Sequence, residues 1–123
     1  MAEEYNSVED LGLCVLHVGI NADGEDDAKR IAEEFRTLMG FIPRFGNSSI
    51  FASDLIEIMK KNGRGEKGHI AVGAHDVDKA AEYFRSTGMG VDEASVKYDD
   101  DGKMKFCYLS KEIAGFAIHL KRY

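Results

Sequence analysis

The sequence predicts an α+β fold in which two βαβββ modules form a curved, mixed eight-stranded sheet around a cavity. Three observations lead to this prediction. Strand and helix patterns occur twice in the same order, short stretches of the two halves are similar, and three of the four histidines fall at matched positions. A chain of 123 residues is long enough for one compact domain built from two such modules.

The first module is predicted to span residues 11–61. It opens with a β-rich strand, and turn residues follow. Apolar residues then recur every three or four positions, which is typical of an amphipathic helix, with acidic residues in the first turn and Gly40 at the end. The predicted elements are strand Leu13–Ile20, turn Asn21–Asp26, helix Asp27–Met39, and strands Phe41–Phe45, Ser49–Ala52 and Leu55–Lys60.

The second module is predicted to span residues 69–123, after a linker of residues 62–68. Asp76 is the expected helix N-cap, and the run of acidic residues before Gly102 predicts a hairpin turn. The predicted elements are strand His69–Gly73, helix Val77–Thr87, and strands Val91–Tyr98, Met104–Leu109 and Phe116–Arg122. Residues 1–10 form an acidic leader without the basic and apolar parts of a signal peptide.

Matching stretches support the repeat independently of the pattern. AEEFR in the first half matches AEYFR in the second, and LHVGI matches GHIAV, which places His17 on His69. IEIMK matches IHLKR, which places Glu57 on His119. The repeat therefore predicts four candidate metal ligands at equivalent strand positions: His17, Glu57, His69 and His119.

Strand alternation places these candidates on one face of the sheet. His17 shares its face with Gly19, and His69 shares its face with Ala71 and Gly73, while bulky apolar residues occupy the opposite face. The bulky face is expected to pack on the two helices. The other face would then line a cavity that carries imidazoles and a carboxylate.

Three neutral imidazoles and one carboxylate suit a divalent transition metal such as zinc, nickel, iron, manganese or cobalt, and are a poor set for calcium or magnesium. A lone strand histidine is more often a packed residue than a ligand, so the hypothesis rests on the set rather than on any member. A site with one carboxylate would carry a charge near +1 and favour a small anionic substrate. His75, just before the expected cap Asp76, is predicted to be an exposed loop residue.

Composition excludes several classes of function. The formal net charge of -6 argues against nucleic-acid binding, and no apolar run approaches the length of a membrane span. The two cysteines, Cys14 and Cys107, are not in a CxxC motif. They are expected to be buried thiols of a cytoplasmic protein, and a single disulfide stays open at this point.

Histidine in the first strand, Glu57 in the fourth and His69 in the fifth resemble the ligand pattern of the vicinal oxygen chelate superfamily. This superfamily includes glyoxalase I, methylmalonyl-CoA epimerase, extradiol dioxygenases, and fosfomycin and bleomycin resistance proteins. GHIAVG and IEIM resemble its glyoxalase branch, and the resemblance covers about Leu11 to Arg122. The eighth strand departs from the pattern, because His119 occupies the place where the superfamily usually has glutamate.

A narrower resemblance connects LHVGIN, GNSSIF, IEIMK, GHIAVG and GFAIHL with the C-terminal domain of some bacterial 2-keto-3-deoxy-6-phosphogluconate (4-hydroxy-2-oxoglutarate) aldolases. It implies a context of sugar-acid or 2-oxo-acid metabolism. The superfamily also pairs its modules within one chain or between two chains. A homodimer is therefore expected, with the site either within one chain or shared.

These resemblances imply a metal-dependent lyase or isomerase that acts on a small 2-oxo or 2-hydroxy acid. Its metal would chelate two neighbouring substrate oxygens and stabilise an enediolate, with Glu57 as the best candidate base and His119 as a second proton-transfer group. Two alternatives stay open. The chain is a non-catalytic small-molecule binding or regulatory module related to the aldolase-associated domain, or it is a drug-binding protein of the resistance type.

Overall fold

The computed structural model describes residues 8–61 and 63–123. Residues 1–7 of the predicted acidic leader and residue 62 of the predicted linker lie outside the described residues. The described end of the leader belongs to a short 3-10 helix, Val8–Leu11. Within the described residues, neither α-helix is long and apolar enough to cross a membrane.

Strands and helices follow the predicted βαβββ order twice in the described part of the chain. The elements are β1 (Cys14–Asn21), α1 (Glu25–Met39), β2 (Arg44–Phe45), β3 (Ser49–Ser53), β4 (Ile56–Met59), β5 (Gly68–Ala74), α2 (Val77–Arg85), β6 (Val91–Tyr98), β7 (Met104–Leu109) and β8 (Phe116–Arg122). The hydrogen-bonded order of the strands is β2-β3-β4-β1-β5-β8-β7-β6, with β1 parallel to β4 and antiparallel pairing of β3 with β4 and of β7 with β8. The predicted α+β fold with a mixed eight-stranded sheet is thus confirmed.

The predicted strand Phe41–Phe45 is wrong over most of its length, because only its last two residues pair with β3. Gly40 ends α1 in the left-handed conformation, and its N–H donates to the Arg36 carbonyl. The Phe41 ring then stacks on Phe35 of the helix, with 6.2 Å between ring centroids. Pro43 has no N–H to offer a strand ladder. Residues 41–43 therefore lie outside the sheet, and residues 44–45 join it as β2.

The described residues form two compact units, and the division passes through strands β1, β5 and β8. We call residues 16–70 with 113–117 the first unit, and residues 8–15, 71–112 and 118–123 the second unit. The first unit contains α1 and β2 to β4, and the second contains α2, β6 and β7.

Helix α1 packs on β3 and β4 in the core of the first unit. Its buried face presents alanines, whose small side chains let the helix lie close to the sheet. On the sheet side, even-numbered residues of β3 and β4 face this helix, so the odd-numbered residues Ser49, Phe51 and Glu57 face the opposite side. The buried core residues are Ala22, Ala28, Ala32, Ile50, Ala52 and Ile58.

Helix α2 packs on β6 and β7 in the core of the second unit. The Asp76 carboxylate accepts a hydrogen bond from the Lys79 backbone N–H, which confirms Asp76 as the N-cap. Cys107 and Leu120 are fully buried in this unit. Both cysteines are free thiols, so the structure contains no disulfide between Cys14 and Cys107.

Ile58→Ala should lower the free energy of unfolding by about 2–5 kcal/mol, because it leaves a cavity under α1. Ile58 is 0 % exposed, whereas Ile42 is 80 % exposed. Ile42→Ala is therefore the matched control, with an expected change within about 0.5 kcal/mol. Urea unfolding of the two variants measures the difference. Equal effects would contradict the assignment of Ile58 to the core.

Cys107 should resist thiol reagents in the folded protein. Burial is the main cause that raises the pKa of this thiol to about 11, so the reactive thiolate is disfavoured near neutral pH. Cys14 is only partly buried. At pH 8 the folded Cys14→Ser variant should take up no reagent, and the same variant in denaturant should take up one equivalent. Rapid labelling of the folded variant would show that Cys107 is accessible.

Candidate metal centre

Parallel pairing of β1 with β4 brings two predicted ligands together. The register places Gly19 of β1 opposite Glu57 of β4. His17 precedes Gly19 by two residues and therefore lies on the same face of β1. Glu57 is also opposite Phe51 of β3. The carboxylate thus stands in the middle of three strands, on the face that α1 does not cover.

The side chains of His17, Glu57 and His69 form a compact triangle within the first unit. The Nε2 atoms of the two histidines are 3.2 Å apart. Glu57 Oε1 lies 3.3 Å from His17 Nε2 and 3.1 Å from His69 Nε2. All three side chains are largely buried, with exposed fractions of 16 %, 16 % and 8 % for His17, Glu57 and His69.

Hydrogen bonds alone do not satisfy this triangle. Each Nε2 carries at most one hydrogen, and an ionised carboxylate carries none. Two ring hydrogens therefore serve at most two of the three close contacts among His17, Glu57 and His69. If both histidines donate to Glu57, the third contact sets two N–H groups against each other, and if only one donates, it sets two lone pairs against each other. A cation between the three atoms would remove the conflict.

The triangle has the dimensions of one face of a metal coordination shell. Ligand atoms about 2.1 Å from an ion, at angles between those of an octahedron and a tetrahedron, are about 3.0–3.4 Å apart. The observed separations of 3.1, 3.2 and 3.3 Å fall within this range. Imidazole nitrogen and carboxylate oxygen are also ligands that divalent transition metals prefer. The residues present therefore fit the ion that the sequence predicts.

Ser49 holds the second oxygen of Glu57. Its hydroxyl donates a hydrogen bond to Glu57 Oε2 over 2.7 Å, and Ser49 is itself 7 % exposed. Hydrogen bonds from His17, then from His69, and also from Ser49 hold the pKa of Glu57 far below its ordinary value, although burial acts in the opposite direction. Glu57 is therefore an ionised acceptor with both oxygens engaged.

The side chain of Phe51 on β3 packs against His17. The ring of Phe51 meets the His17 ring edge to face, with 5.8 Å between centroids. The guanidinium of Arg44 lies 4.8 Å from the centre of the Phe51 ring, and Arg44 also pairs with Asp54. This stacking limits the orientations that the His17 imidazole can adopt.

His119 lies on β8 in the second unit and is 5 % exposed. It pairs with Tyr108 of β7, and its ring contacts two aromatic rings. The Phe106 centroid is 4.8 Å from the His119 centroid, and the Tyr108 centroid is 5.4 Å from it. His119 is thus a buried imidazole held between two aromatic rings.

Two histidines of the first unit, His17 and His69, could hold a metal ion. His75 is placed elsewhere, as predicted. It follows the end of β5, is exposed, and stacks on Tyr123 with 4.3 Å between ring centroids. His75 is therefore a suitable control histidine.

Two residues that shape the triangle were missed in the sequence. Ser49 and Phe51 lie on the face of β3 that points away from α1, and both contact predicted ligands. Alternation in the predicted strand Ser49–Ala52 shows that the two share a face. Nothing in the sequence shows which residues of β4 they meet, because that depends on the register of β3 against β4.

Solved structures resemble this chain over nearly its whole length. A variant of Streptomyces coelicolor methylmalonyl-CoA epimerase in complex with 2-nitronate-propionyl-CoA is 19 % identical, with a TM-score of 0.57 over 89 % of this chain and 93 % of that chain. A hypothetical protein from Bacillus halodurans C-125 is 14 % identical, with a TM-score of 0.61 over 90 % and 94 %. The fold is glyoxalase-like.

A third similar structure, methylmalonyl-CoA epimerase from Mycobacterium tuberculosis, is 15 % identical, with a TM-score of 0.54 over 88 % of this chain and 86 % of that chain. No protein-family model matches the sequence, and no curated protein matches it either. At these identities the likeness establishes the glyoxalase-like fold alone. The narrower resemblance to the aldolase-associated domain stays a prediction.

Ser49→Ala should weaken binding of a divalent ion by about tenfold, because Glu57 loses the donor that fixes its second oxygen. Calorimetric titration of chelator-stripped protein with zinc measures the change. Ser48→Ala, one residue earlier and exposed, is the matched control and should bind zinc like the unchanged protein. Unaltered affinity in Ser49→Ala would mean that this hydrogen bond does not position the carboxylate.

Proposed function

We propose that this protein is a metal-dependent enzyme of the lyase or isomerase type that acts on a small 2-oxo or 2-hydroxy acid. The triangle of His17, Glu57 and His69 carries the proposal, because its separations suit a divalent ion and because hydrogen bonds alone leave one of its three contacts unsatisfied. In this proposal His119 supplies the fourth protein ligand. The glyoxalase-like fold supports the same interpretation.

A bound divalent ion would supply Lewis-acid polarisation of neighbouring substrate oxygens. The protein's own residues would do the rest. His17 and His69 are neutral ligands when they face an ion, so Glu57 contributes the only negative charge among the proposed protein ligands. A divalent site with one carboxylate keeps a charge near +1, which favours an anionic substrate over a neutral one.

Two residues are proposed to move protons. Glu57 is the first candidate base, because release of Oε1 from the two histidines would remove the hydrogen bonds that lower its pKa, while Ser49 keeps the carboxylate oriented. His119 is the second candidate, with an imidazole that accepts or returns a proton between the rings of Phe106 and Tyr108. One base removes the proton from the carbon beside a carbonyl, and a second group returns a proton when the configuration at that carbon is inverted.

The similar structures support proton transfer as the reaction type. Several of them are named as methylmalonyl-CoA epimerases, and some contain 2-nitronate-propionyl-CoA. An epimerase inverts a carbon centre, and an acidic carbon beside a carbonyl makes that possible through loss and return of one proton. We extend this reaction type to the present chain and propose an acid smaller than an acyl-CoA as its substrate.

The expected homodimer is also a proposal. Several large apolar side chains of the first unit are more than half exposed, which supports a partner surface on this unit. They are Leu38, Met39, Ile42, Phe45 and Leu55. Sedimentation equilibrium of the full chain distinguishes a monomer from a dimer directly.

The proposed reaction predicts exchange of a carbon-bound hydrogen with solvent. Zinc-, nickel-, cobalt- or manganese-loaded protein in D2O should catalyse deuterium incorporation beside the carbonyl or hydroxyl group of at least one acid in a panel of 2-oxo acids, 2-hydroxy acids and methylmalonyl-CoA. Proton NMR of the acids follows the exchange. His69→Ala should abolish it, whereas His75→Ala should leave it unchanged.

Each contrary outcome has a distinct meaning. If chelator-stripped protein binds none of these ions stoichiometrically, the metal-dependent function is wrong. If it binds an ion and a panel acid but exchanges no hydrogen, the chain is a binding or regulatory module. If it binds drugs without an ion, the resistance-type alternative is correct.

A further inference from the structure

The imidazole of His69 occupies the space in which a side chain of residue 19 would lie. A Cβ atom built on Gly19 would be 2.0 Å from His69 Cε1, 2.3 Å from Nδ1 and 2.6 Å from Nε2. Atoms that are not bonded to each other do not approach so closely. Any residue other than glycine at position 19 therefore excludes the observed ring position.

A second glycine allows the two strands to come close at the same point. A Cβ atom on Gly68 would lie 1.9 Å from the carbonyl oxygen of Gly19. Gly68 directly precedes His69 at the start of β5. The backbone before His69 thus lies against the Gly19 backbone, and the His69 ring then covers the bare face of Gly19.

The strand itself does not explain the glycine at position 19. Gly19 is not among the glycines with positive φ, so other residues could adopt its backbone conformation. Glycine inside a strand is destabilising by about 0.5–1 kcal/mol relative to alanine. The matched position of the second module has an alanine, Ala71, so the repeat does not demand glycine. The remaining explanation is the room that Gly19 gives to His69.

We infer that Gly19 is a positioning residue of the candidate metal centre. By having no side chain it admits the His69 imidazole, whose Nε2 then reaches Glu57 Oε1 and His17 Nε2. Gly19 acts through His69 and touches no substrate. Its effect on metal binding rests on the proposed function, whereas its effect on the His69 ring does not.

A stability cycle tests the steric relation without any metal. Gly19→Ala should destabilise the metal-free protein, because the methyl group and the His69 ring compete for one space. In the His69→Ala background the ring is gone, so Gly19→Ala should be neutral or slightly stabilising. Urea unfolding of the four proteins gives the coupling. An equal destabilisation in both backgrounds would overturn the inference.

A metal titration tests the consequence for the site. Gly19→Ala should lower zinc affinity at least about tenfold, the scale on which groups that orient metal ligands act. Gly88→Ala is the matched control, because no atom lies within 4 Å of a Cβ at that position. In the His69→Ala background the added Gly19→Ala change should leave zinc affinity unaltered. A further drop there would show that Gly19 acts by another route.

An NMR measurement on the unchanged protein covers the case in which Gly19→Ala does not fold. The geometry predicts a strong NOE between an α proton of Gly19 and Hε1 of His69, and its absence would overturn the inference. Failure of the unchanged protein to bind zinc or another ion would remove the proposed function. The NOE and the stability cycle would still test whether Gly19 makes room for the His69 ring, because neither measurement needs a metal ion.

Discussion

The parallel register of β1 and β4 is the constraint on which the candidate site depends. It sets Gly19 opposite Glu57. Because side chains alternate along a strand, this register also decides on which face of the sheet each neighbouring residue lies. A shift of one residue in this register would turn Glu57 towards α1 and into the apolar core of the first unit. Burial of that core under α1, which includes the fully buried Ile58, therefore maintains the site as well as the fold.

Elements with a strong local pattern could be predicted from the sequence. Helix α1, its stop at Gly40 and the cap at Asp76 follow from periodicity and capping chemistry. Of the four ligands that the repeat predicts, His17, Glu57 and His69 lie in contact, and the ligand role of the set stays a prediction. Strand β2 could not be predicted to its ends, because a stack of Phe41 on Phe35 competes with the sheet.

The missed parts of the site are those that depend on contacts distant in sequence. The hydroxyl of Ser49 matters because β3 and β4 bring it within 2.7 Å of Glu57. Gly19 matters because the ring of His69, fifty residues later in the chain, occupies the space that a side chain at position 19 would take. Neither residue type indicates a function by itself, since serine and glycine are common in strand ends and turns. Only the pairing of strands gives them their roles.

The hydrogen bond from Ser49 also limits how Glu57 can act as a ligand. With Oε2 held by the hydroxyl, the carboxylate offers one oxygen, Oε1, towards the histidines. A carboxylate that binds through one oxygen fills one coordination position instead of two. An ion held by His17, His69 and this single oxygen would therefore keep open the position that a second carboxylate oxygen would take. That position would be available to a substrate oxygen.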